Sequence, residues 1–176
     1  MSDAIGNRHW RSAALSLVLG LLAIGTGAMP ALAASTPFNA TYPDEVTTHR
    51  DCPPGFPAGA FCFTGVGHGL TTPPGTVGTE RYAGFVDFTT HDPVTGCPVD
   101  RNAVSIITGS GTLFLTTRGA SCPPFDNGTW QAVGGTGIFE GATGSGTVST
   151  VTTGVNSNGT ISSSSTYAGT LNLHSD

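Results

Sequence analysis

The chain has 176 residues, with six basic side chains, all arginine, against eleven acidic ones, for a formal charge of -5. An acidic chain without a basic run suits neither nucleic acid nor an anionic membrane. The absence of lysine removes Schiff-base chemistry and the phosphate-binding lysine of P-loop enzymes.

Arg8 and Arg11 precede an apolar run from Ser12 to Ala28, and Met29, Pro30 and Ala31-Leu32-Ala33-Ala34 follow. A charged start, an apolar middle and an A-x-A site in that order predict a signal peptide over 1–33, cleaved after Ala33 or Ala34. Gly20, Gly25, Gly27 and Pro30 interrupt the run, which argues against a retained membrane anchor. No Arg-Arg pair is present, so the general secretory route is expected. Residues 34–176 then form one secreted, extracellular domain. Val, Ile, Leu and Phe make up about a fifth of it, near the composition at which apolar burial alone no longer holds a fold.

Beyond the leader no window carries helical apolar spacing free of Gly or Pro, whereas β-branched and aromatic runs recur between turn residues. The first predicted strands are Val46 to Arg50 and Ala60 to Val66. Between them Cys52 and Cys62 flank Pro53-Pro54-Gly55-Phe56-Pro57-Ala58-Gly59. His68 in Gly67-His68-Gly69 reads as a loop histidine, and His49, His91 and His174 lack metal-ligand spacing, so no metal site is expected.

The third strand, Arg81 to Thr90, carries the densest polar group, with Glu80, Tyr82 and His91 beside it. Alternation puts Arg81, Ala83, Phe85, Asp87 and Thr89 on one face. With that face inward, Asp87 would be a general acid and Arg81 its counter-ion, with Glu140 a further candidate. With it outward, the pair is a surface salt bridge. Phe85 counts as a ligand-binding candidate on the inward reading.

Ala103 to Thr108 and Thr112 to Arg118 read as a hairpin turning at Gly109 to Gly111, in which paired residue numbers sum to about 220. Cys97 and Cys122 fall opposite each other in that register, close enough for a disulfide, which leaves Cys52 to pair with Cys62. Four cysteines in an exported chain read as two bridges, and C-x2-4-C zinc spacing is absent. Thr129 to Val133 is the sixth strand. Gly134-Gly-Thr-Gly-Ile-Phe-Glu-Gly-Ala-Thr-Gly144 follows as a structural turn. Gly135, Gly137, Gly141 and Gly144 supply its chain reversals, and Phe139 anchors it to the barrel end. It is not a nucleotide loop, since Glu140 stands where the third glycine would be and no helix follows.

Gly146 to Val155 and Thr160 to Leu173 complete about eight strands, joined by Asn156-Ser157-Asn158-Gly159. The pattern predicts an all-β antiparallel meander closed as a barrel or folded as a sandwich. Ile161, Ser163, Ser165, Tyr167, Gly169, Leu171 and Leu173 share one face of the last strand. Pointed inward, its small residues would leave a cavity, with Tyr167 and Leu171 as ligand contacts.

The Gly134 to Gly144 segment resembles the Gly-Gly-x-Gly-x-Phe-x-Gly-Ala-x-Gly stretch of allene oxide cyclases and, more loosely, dirigent proteins. Tyr167-Ala-Gly-Thr-Leu171 resembles the closing strand of that family. The likeness runs from about Thr129 to Leu173. It implies an eight-stranded calycin-type barrel, a homotrimer, and either a small hydrophobic ligand or an isomerase or cyclase acting on a lipid- or polyketide-derived substrate. No cofactor is expected. The cyclases' N-terminal Glu, Asn and Cys cluster has no matching motif before Gly134, so no catalytic residue is carried over. A third reading is a solid structural barrel without catalysis.

Overall fold

Eight runs in which large apolar and β-branched residues alternate with small or polar ones each form one antiparallel strand. They are β1 (Ala34–Arg50), β2 (Phe61–Thr72), β3 (Thr76–His91), β4 (Pro98–Thr108), β5 (Gly111–Cys122), β6 (Phe125–Gly135), β7 (Thr143–Val155) and β8 (Ile161–Leu173). This computed structural model describes residues 34–174, so the leader expected over 1–33 lies outside the described residues. Each strand pairs with its neighbours in sequence, and β1 also pairs with β8, closing the barrel. Among the described residues no sheet edge remains exposed.

The strands are longer than the sequence pattern predicts because the barrel absorbs residues that read as breaks. β1 carries Pro43 where its pairing with β8 slips between Tyr42 and Glu45, a bulge where a missing N–H does no harm. β2 runs through Gly65, Gly67 and Gly69. The β4–β5 hairpin has the expected register, with Val99 opposite Ala120 and Thr108 opposite Gly111. Its extension places Cys97 and Cys122 with Cα atoms 5.5 Å apart and bonded. Cys52 and Cys62 form the second disulfide.

The two ends of the barrel differ. At one end the strand-linking turn 136–142 folds inward as a short 3-10 turn, Gly137–Phe139, and drops Phe139 fully buried into the barrel. Backbone bonds from Ile138 N–H to the Ser110 carbonyl (3.1 Å) and from Thr136 N–H to the Thr112 carbonyl (2.8 Å) tie this plug to the β4–β5 hairpin. Gly137 and Gly141, at φ 61° and 64°, supply the left-handed positions that the reversals need. Beneath Phe139 pack Phe38, Tyr42, Ile106, Leu113, Leu115, Trp130 and Leu171. The Trp130 indole lies over the inward faces of Gly146 and Gly169, where a Cβ would come within 2.7 Å and 2.6 Å of its ring. Phe38 meets it edge-on with centroids 5.2 Å apart. The other end carries both disulfides and the 51–60, 92–97 and 156–160 loops; it is the mouth.

Candidate functional site

Packing does not fill the mouth half. An interior cavity of about 400 Å3 runs from a rim at Phe61, Phe88, Pro98, Pro123 and Ile161 down to Glu45, Glu80, Ser163 and Tyr167. Small inward residues create it: Ser163 and Ser165 on β8, Gly119 on β5 and Gly128 on β6 all line the space. The β8 face bearing Ile161, Ser163, Ser165 and Tyr167 therefore points inward, as its alternation allowed.

Its floor holds two carboxyls, each 1% exposed. The bulge in β1 turns Glu45 inward beside Ser163 of β8, whose hydroxyl donates to Glu45 Oε2 at 2.8 Å. Glu80 on β3 stands opposite Gly67 of β2. The missing side chain at 67 matters, because a Cβ there would lie 2.7 Å from Glu45 Cγ and 3.5 Å from Glu80 Oε2. The two carboxyls thus reach over the middle strand toward each other, and their proximity helps to raise Glu80. Glu80 Oε1 already accepts the Tyr167 hydroxyl. That leaves Glu80 Oε2 and Glu45 Oε1, which have no hydrogen-bond partner. Two acceptor oxygens meet favourably only with a proton between them. Burial first, then the charge and proximity of the Glu45 carboxyl, push the Glu80 carboxyl well above the ordinary range, so Glu80 carries that proton.

Three phenols surround the pair. Burial raises the Tyr42, Tyr82 and Tyr167 hydroxyls above their ordinary value, so all three stay neutral. Tyr42 bonds Thr71 Oγ1 at 2.9 Å and Tyr82 bonds Thr47 Oγ1 at 2.6 Å.

A second polar group lies in the wall nearer the mouth. Asn102 Nδ2 donates to Asp100 Oδ2 and to Thr117 Oγ1, each at 2.9 Å. The Asp100 bond fixes which Asn102 atom is nitrogen, since a carboxylate accepts only. Burial first, and the charge of Asp126 second, push Asp100 up to about 6. Burial also raises Asp126, with the Ser121 hydroxyl acting against it.

The candidates named from sequence divide between inside and outside. Tyr167 lines the cavity, whereas Leu171 is fully buried in the packed end beneath it. Phe85, Arg81 and Asp87 lie on the outer face of β3, because Tyr82, Val86 and Phe88 of the opposite face point inward. Asp87 does not pair with Arg81; it accepts from the Thr89 backbone N–H (2.9 Å) and hydroxyl (2.6 Å), which draws its carboxyl down to about 2. Phe85 meets Phe56 edge-on at 5.0 Å. It joins Arg50, Arg101 and Arg118 in an external groove of about 570 Å3. That groove is larger than the cavity, but its arginines are exposed, so it buries no reactive group. Glu140 is exposed beside the plug. Of the turn residues, Gly135, Gly137, Phe139, Gly141 and Gly144 all serve the plug; a Cβ at Gly135 would collide with Phe139 at 2.5 Å, and one at Gly144 with the Thr170 carbonyl at 2.2 Å. All four cysteines are bridged. His68 is exposed, bonded to Thr79 at 3.2 Å. Among the described residues no three His, Cys, Asp or Glu side chains cluster to hold a metal.

Glu45, Asp100, Asn102 and Asp126 went unnoticed in the sequence, while Glu80 was noted only as a neighbour of the third strand. Glu80 has the same parity as Tyr82, Val86 and Phe88, so extending that strand by one residue would have found it. No protein-family model matches the chain, and no curated protein is significantly similar to it.

Proposed function

We propose that this protein is a secreted binding barrel that takes a small, largely apolar molecule through its disulfide-stapled mouth. The observation that carries this reading is the interior cavity of about 400 Å3, with Phe61, Phe63, Val86, Phe88 and Val148 in its wall and a polar floor. Apolar walls supply affinity, and a few convergent polar groups fix orientation. The two disulfides and the absence, among the described residues, of a helix able to cross a membrane are compatible with export. The likeness of the Gly134 to Gly144 turn to allene oxide cyclases and dirigent proteins supports the same reading, and with it a trimeric assembly.

Native mass spectrometry of the protein from culture medium tests this in one spectrum, since it reports cleavage, assembly and retained ligand. Uptake of the neutral fluorophore Nile red is the complementary assay. The native barrel is expected to take it up and a Val148→Trp variant, which fills the cavity, to refuse it. Equal uptake by both would place the dye elsewhere and overturn the reading.

One observation favours a second reading, an isomerase or cyclase. Glu80 is a carboxylic acid held protonated beside Glu45 in a confined space, a device suited to general acid catalysis on a folded substrate. Turnover of a captured ligand by native protein but not by Glu80→Gln would establish it.

A further inference from the structure

The cavity contains an unusual imbalance of charge and of hydrogen-bonding capacity. Four carboxyls line it, Glu45, Glu80, Asp100 and Asp126, and among the described residues no arginine or histidine does. In the floor pair Glu45 Oε1 and Glu80 Oε2 are also without a partner, and a proton carried by Glu80 would join the two carboxyls. In the wall group Asp100 is 8% exposed, yet its Oδ1 has no partner, and neither do Asn102 Oδ1 and Asp126 Oδ1. All three are acceptors.

Space lies beside them. Gly119 and Gly128 stand opposite each other on β5 and β6 and line the cavity at this level. The Asp100 carboxyl leans over Gly119, where a Cβ would come within 2.6 Å of Oδ1. On other parts of the lining are Phe61, Phe63, Tyr82 and Phe88. Buried acceptors left unpaired cost stability, and an occupant carrying donors would remove that cost.

We infer that the recess beside Asp100 and Asp126 binds the protonated amine of an aromatic or aliphatic ammonium ligand whose apolar body lies against the phenylalanine-lined wall. A primary ammonium brings N–H donors for the unpaired Asp100 and Asp126 oxygens. Its charge is stabilised by the carboxylates. An anionic ligand is disfavoured, because it would add negative charge to a site with no cation. The inference deepens the binding-barrel reading and rests on it.

Three probes of similar shape and different charge test it on the oxidised protein by calorimetry: tryptamine, the neutral alcohol tryptophol, and indole-3-acetate. Tryptamine is expected to bind about tenfold or more tighter than tryptophol, with indole-3-acetate weakest. An Asp100→Asn/Asp126→Asn double variant keeps the side-chain volume and is expected to bind tryptamine and tryptophol alike. Equal or tighter binding of tryptophol or indole-3-acetate by the native protein overturns the inference, and this comparison needs no variant to fold. Calcium displacing tryptamine one for one would also overturn it, assigning the recess to a metal. If tryptamine fails while Nile red still enters, the amine assignment falls and the binding barrel stands; if neither enters, both fall.

Discussion

Asp100 makes the fold sensitive to pH in an uncommon direction. In the unfolded chain its carboxyl loses a proton near 3.8, whereas in the barrel burial and Asp126 hold the proton up to about 6. Between those values the folded state binds more protons than the unfolded one, so stability falls as pH rises. Roughly two pH units at 1.36 kcal/mol each give a loss of about 3 kcal/mol, complete just above pH 6. Glu80 and Asp126, also raised, act in the same direction; Asp87 and Asp92, drawn down by threonine hydrogen bonds, act in the opposite one at lower pH. The clean test is Asp100→Asn, which keeps the shape and can still accept from Asn102 but has no proton to lose. Urea unfolding of the oxidised protein at pH 4 should give native and variant similar midpoints. At pH 7 the variant should be more stable by up to about 3 kcal/mol, about 2 M in midpoint for a slope near 1.5 kcal/mol per molar. A variant whose stability falls with pH as steeply as the native protein's would refute the assignment of that slope to Asp100.

The two disulfides should differ in weight. Sequence separations of 10 and 25 give chain-entropy contributions of about 2.7 and about 3.5 kcal/mol, so replacing Cys97 and Cys122 by serine should lower the urea midpoint more than replacing Cys52 and Cys62; the reverse order would show that loop length does not govern. Phe139→Ala empties the plug of a fully buried ring and should cost about 3–5 kcal/mol, a loss read from thermal melts; a loss below about 1 kcal/mol would mean that the plug does not hold the packed end. Tyr167→Phe leaves Glu80 Oε1 without its donor and should cost about 1–3 kcal/mol. It should also raise the Glu80 carboxyl further, so that infrared absorption of the protonated acid persists to higher pH than in the native protein.

The parts of this structure legible from sequence are those set by local rules. Turn residues and β-branched runs gave eight strands, hairpin arithmetic placed Cys97 against Cys122, and glycine spacing marked the reversal that became the plug. The floor of the cavity depends instead on phase. Along β1 the inward residues are Phe38, Ala40 and Tyr42, and strict alternation would next turn Asp44 inward. The bulge at Pro43 shifts the phase by one and brings Glu45 in. On β3 the polar residues drew attention to the wrong face. Arg81 and Asp87 stay on the outer face because Tyr82 and Val86 have more apolar surface to bury. Asp100 and Asp126 gave no local signal, since what makes them notable is the enclosure formed by strands distant in sequence.

The division of the barrel into a packed end and a hollow end also explains where its covalent bonds lie. Apolar burial is concentrated at the end where Phe38, Leu113, Trp130, Phe139 and Leu171 interlock. The mouth half gives up that contribution to keep its cavity, and it bears the desolvation of Asp100 and Asp126 as well. A mouth that keeps its cavity has to be held by something that occupies no interior volume. Disulfides on the rim meet that condition, because they act chiefly by restricting the unfolded chain. Both bridges lie at this end, Cys62 joining the start of β2 to the 51–60 loop and Cys122 joining the end of β5 to the strand entry at Cys97. A ligand that paired the unsatisfied oxygens would stabilise the same half through binding. The bridges therefore hold the hollow mouth folded without filling it.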